Sequence, residues 1–252
     1  FVDTSLTLLA RFDETPTREV AGAVRIALQL LLPLTREAVH TAETTRQLPL
    51  QRLFDVLLPL HSVPGNMSET AAVLSLFHEP LVQCLFLICE HHDRTAAGGS
   101  AAGTPSKWLA VAAALTTAWA EVTAGNSFKG LLLLNELDQM LQRVAAAATT
   151  AAAASGATPS TTVPQLLVAA LPLVADALAS DNSRIAQMAL GLFKHEATMA
   201  AVACDVALLA SVVRWCYRGG VPHWNATVNK LTHTVITQLV ALNPAAVERA
   251  LE

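Results

Sequence analysis

Apolar residues recur along this chain at the spacing of an α-helix. Leu166, Leu167, Ala170, Leu171, Val174, Ala177 and Leu178 repeat with a period of about 3.6 residues and share one face. Ile185, Met188, Ala189, Leu192 and Phe193 repeat the pattern, as do Val228, Leu231, Val235, Leu239 and Leu242, and Leu50, Leu53, Phe54, Leu57 and Leu58. No alternating strand pattern and no tight Asn-Gly or Asp-Gly hairpin interrupts them. The expected fold class is all-α.

Turn chemistry separates the helical stretches. Ser180-Asp181-Asn182-Ser183 divides two of them, and Asp181 or Asn182 can cap the second. Arg218-Gly219-Gly220-Val221-Pro222 divides the last two; Gly suits a helix end and Pro222 a helix start. The stretches pair as antiparallel hairpins, one from about Val163 to His195 and the next from about Ala201 to Leu242. Corresponding helices start roughly 40 residues apart, the period of HEAT or armadillo repeats. Earlier pairs, near 50–91 and 108–143, are spaced more widely by inserted sequence. A helix pair with one oily face must stack on neighbours to bury it. The expectation is therefore a right-handed α-solenoid of HEAT/armadillo-like helix-pair repeats, one domain over 1–252. Low-complexity loop insertions are expected at 94–106 and 145–162. The second is almost entirely Ala, Thr, Ser and Gly, and only a turn or two of it is expected to extend the preceding helix. The sequence opens on Phe1 rather than Met, as a segment of a longer chain would.

Composition narrows the class. Hydrophobic residues make up 53% and charged residues 14%, which excludes a chain disordered throughout. The net charge is −4 and the 16 Lys and Arg form no basic stripe, so no nucleic-acid partner is expected. The most apolar run considered, Ala197 to Val213, carries Asp205 at its middle, and Trp108 to Val122 is short and holds Glu121, so membrane insertion is not expected. The first residues are acidic where a signal peptide is basic. Cysteines at 84, 89, 204 and 216 read as buried free thiols in a reducing compartment, cytoplasmic or nuclear.

Catalytic motifs are missing: no Gly-rich phosphate loop, no G-x-S-x-G, no H-E-x-x-H. Cys84, Cys89, His91, His92 and Asp93 form the best metal candidate. The two cysteines diverge by about 140° around a helix, so a helix end with polar histidines is the better reading, and no metal or cofactor is expected. His61 and His233 lie within apolar patterns as core or boundary residues. Glu136 and Asp138 are two apart on a helix and point in different directions, a solvated face rather than a carboxylate pair. Asn66-Met67-Ser68 and Asn225-Ala226-Thr227 match the glycosylation pattern, which requires secretion to matter. Trp108 and Trp119 are expected in the core.

Six segments, in order, resemble the B-prime regulatory subunits of protein phosphatase 2A: FVDTSLTLLARFDETPTRE at the start, LLPLHSV (57–63), HEPLVQCLFLICE (78–90), LLNELDQML (133–141), RIAQMALGLFKHEATM (184–199) and HWNATVNKLTHTVITQL (223–239). The resemblance implies a stack of HEAT-like repeats without catalytic residues, which docks on the scaffold and catalytic subunits and directs the enzyme to substrate proteins. Lys194, His195 and Glu196, at an inter-helix turn, together with Glu136, Asp138 and His223, are the candidate partner-binding residues. Trp224 and Asn225 are expected to hold a helix start. The chain departs from the family in three ways. The first repeats are absent. About one helix pair is missing between His40 and Leu48. The family's pocket for Leu-x-x-Ile-x-Glu peptides, built on His, Arg, Tyr and Lys, is replaced by RIALQLLLPL (25–34), where Pro33 is expected to end the helix early. This chain is therefore not expected to bind that peptide class. The alternative is a diverged α-solenoid scaffold that no longer binds the phosphatase.

Overall fold

The structure, a computed structural model, describes residues 2–10, 18–40, 49–62, 67–97, 106–122, 127–154, 161–217 and 220–251. Among them lie thirteen α-helices and no strand: α1 (Val2–Ala10), α2 (Arg18–Ala38), α3 (Leu50–Leu57), α4 (Met67–Ala97), α5 (Lys107–Trp119), α6 (Ser127–Ala154), α7 (Val163–Ala169), α8 (Leu171–Ala179), α9 (Ser183–Gly191), α10 (Glu196–Cys204), α11 (Val206–Tyr217), α12 (Ala226–Leu242) and α13 (Pro244–Leu251). The all-helical class read from the periodicity is the class observed. The chain divides into two compact units, Phe1–Leu132 and Leu133–Glu252, and the boundary falls inside α6.

In the first unit α2 lies along α4, α1 packs on α2 and α3, and α5 packs on α4 and on the 3-10 turn Leu58–His61. Ala21, Val24, Ala27, Leu28 and Leu31 form the buried stripe of α2. Pro33 does not end this helix. It is exposed, and so is Gln29, whose carbonyl loses its partner to the proline ring, so the lost bond falls on the solvent side while the opposite stripe holds the helix to α4. Trp108 is 2% exposed and stacks obliquely on Phe86 with centroids 5.3 Å apart; its indole N–H donates to Asp93 Oδ2 at 2.9 Å. Lys129 is fully buried and its Nζ meets Glu121 Oε2 at 2.5 Å, because a buried ammonium needs a charged partner. His61 is buried with Nδ1 2.9 Å from the Leu58 carbonyl, the satisfied core histidine expected.

One described stretch, Val73–Thr95 of α4, is long and apolar enough to cross a membrane, and its most apolar window is 61% buried inside the fold. The Ala197–Val213 run is not one helix. It breaks at Asp205, bending by 110°, and the Asp205 carboxylate accepts the Ala207 and Leu208 amides at 2.9 and 3.0 Å to start α11.

In the second unit α8 and α9 pack together, as do α11 and α12. Beyond that, α8 packs on α11, α11 on α13, and α9 on α12. The Leu166–Leu178 stripe is split into α7 and α8. Pro172 has no N–H for the Val168 carbonyl, and Ala170 takes up a non-helical φ of −93° and ψ of 6°. Of the two candidate caps in the 180–183 turn, Asn182 does the work, accepting from the Arg184 and Ile185 amides. Pro222 does not start α12; Asn225 does, accepting from the Thr227 and Val228 amides.

The expected loop insertions are shorter than the sequence suggested. Arg94–Ala97 finish α4, and Ser106 is buried. Ala145–Ala154 continue α6, since alanine carries the highest helix propensity. Thr161 is buried, and the Gln165 side chain accepts the Thr162 N–H at 2.9 Å at the start of α7. The rest of those insertions, the 41–48 gap and the Asn66 glycosylation pattern lie outside the described residues.

Because α2 runs unbroken through Pro33 on its exposed side, Pro33→Ala should stabilise the chain by about 1–3 kcal/mol. Urea unfolding would measure it; a helix ending ahead of Pro33 would leave stability unchanged.

Candidate functional site

The residues around His223 line an open groove. Its walls are the end of α11 (Cys216, Tyr217), the connection Gly220–His223, and the first half of α12 (Asn229, Thr232, His233, Ile236), enclosing about 290 Å³. Gly220 turns the chain at φ +83°, a conformation that a β-carbon would strain. Asn229 clamps the next stretch with both ends of its amide: Oδ1 accepts the His223 N–H and Nδ2 donates to the His223 carbonyl, each at 2.7 Å. The Asn225 N–H then donates to His223 Nδ1 at 2.9 Å. That bond leaves the ring proton on Nε2, which is buried without a hydrogen-bond partner. His223 as a whole is 6% exposed.

The groove is rimmed by apolar surface. Tyr217, Val221 and Trp224 are 53%, 68% and 72% exposed. The Trp224 indole N–H donates to the Asp181 carbonyl at 2.9 Å, tying this turn to the one ahead of α9, while its ring remains largely uncovered. His233, expected at the core or its boundary, is exposed and borders the groove. No Asp or Glu is among the lining residues.

A second cluster joins α6 to the turn before α10. His195 Nε2 lies 2.8 Å from Asp138 Oδ1, and the Gln142 amide donates to Asp138 Oδ2 at 2.9 Å. Two donors converge on one carboxylate, which brings Gln142 within 3.3 Å of the imidazole. His195 and Asp138 side chains are 26% and 20% exposed, so the pair is shielded but reachable. Lys194 and Glu196 flank it, both exposed. Asp138 and His195 are therefore brought together, 57 residues apart in sequence. Glu136 is not on a solvated face. Residues two apart sit about 200° around a helix, and Glu136 falls at the edge of the arc of Met140, Leu133 and Leu137, where it is fully buried. It offers no surface to a partner. Lys129, Gln142 and Tyr217 were not singled out in the sequence; nothing local to an apolar stretch distinguishes a buried lysine from a solvated one.

No group of three or more His, Cys, Asp or Glu among the described residues is placed to hold a metal ion. Cys84 and Cys89 are both buried, and His91 turns its Nδ1 to the Val39 carbonyl at 3.3 Å. Burial holds His91 below the usual histidine range, so it stays neutral near pH 7. Three of the four thiols are buried as expected, and Cys204 is exposed. The chain matches no protein-family model and no curated protein by sequence.

Removing the clasp should be measurable as coupling. A double-mutant cycle of Asp138→Asn and His195→Ala should give about 0.5–1 kcal/mol at neutral pH, small because both groups are partly solvated; strict additivity would dissolve the clasp. Burial pushes the Cys84 and Cys216 thiols up to about 12, so neither forms thiolate near pH 8. Mass spectrometry after brief iodoacetamide treatment at that pH should show Cys204 modified, with Cys84 and Cys216 untouched until urea is added.

Proposed function

We propose that this chain is a non-catalytic α-solenoid that serves as a regulatory, substrate-directing subunit of a serine/threonine phosphatase of the 2A type, binding its scaffold and catalytic subunits in the cytoplasm or nucleus. The observation that carries the reading is the packing of like on like in the second unit. The helices that begin at residues 171, 206 and 244 pack one on the next, and those that begin at 183 and 226 do the same, at the roughly 40-residue interval of HEAT repeats. Five of the six segments resembling the B-prime subunits overlap α1, α4, α6, α9–α10 and α12, and LLPLHSV overlaps the 3-10 turn Leu58–His61. A repeat stack of this kind works through extended surfaces and inter-helix turns, and the Lys194–Glu196 turn, anchored by the His195–Asp138 contact, is such a surface.

A diverged scaffold that binds another partner is the second reading. It is favoured by α2, whose exposed side shows Ile26 and Leu30 at 59% and 50% where the family has a charged peptide pocket.

Size exclusion with the phosphatase scaffold–catalytic dimer separates the two. The chain should co-elute at micromolar concentration, and Lys194→Glu with Glu196→Lys should weaken co-elution about tenfold while leaving circular dichroism unchanged. Separate elution of the unmodified chain would overturn the first reading in favour of the second.

A further inference from the structure

We draw no further inference here: the strongest candidate, the exposed apolar patch of Tyr217, Val221 and Trp224 beside the groove between α11 and α12, carries none because nothing in the structure shows what covers it.

Discussion

A helix of seven to twelve residues has about as many unpaired backbone groups at its ends as hydrogen bonds within it, and most helices of the second unit are that short. Each break must therefore satisfy amide groups that would otherwise be stranded near the core. Asn182, Asp205, Asn225 and Asn243 do this with side-chain oxygens, and Gln165 does it from inside α7. Asn243 also donates its amide to the Ala203 carbonyl at 2.9 Å, so one side chain serves the start of α13 and the end of α10. With the ends satisfied, the short helices can turn sharply and lay their apolar faces on one another. The stacking of α8, α11 and α13 depends on that.

The same constraint shapes the groove. His223, Trp224 and Asn225 each have a structural duty: the first accepts the third's amide, the second reaches back to Asp181, and the third caps α12. The turn is rigid because three consecutive side chains hold it and Asn229 clamps its backbone. The turn leaves the Trp224 ring largely uncovered while the His223 imidazole beside it is buried. Structural role and available surface are combined at Trp224.

Charges inside the first unit follow a stricter rule. Lys129 is fully buried and is held by Glu121, and the Trp108 indole is satisfied by Asp93. In these two cases the polar group taken from water has been given a partner, as the cost of leaving one unmatched demands.

The all-α class, the buried stripes of α3, α8, α9 and most of α12, the core positions of Trp108 and Trp119, and the turn at 180–183 were all legible in the sequence, because each follows from helical periodicity or from turn chemistry within a few residues. Part of the alanine run was expected to prolong α6, and the helix continues to Ala154, because alanine has the best intrinsic helix propensity. Pro33 could not be placed from sequence because its cost depends on which side of α2 faces solvent. The meeting of Asp138 with His195, the burial of Glu136, the pairing of Lys129, the exposure of Trp224 and the groove at His223 were decided only by the tertiary structure. Periodicity tells which face of a helix is apolar, whereas the fate of a polar residue at the border of that face is set by what packs against it from elsewhere in the chain.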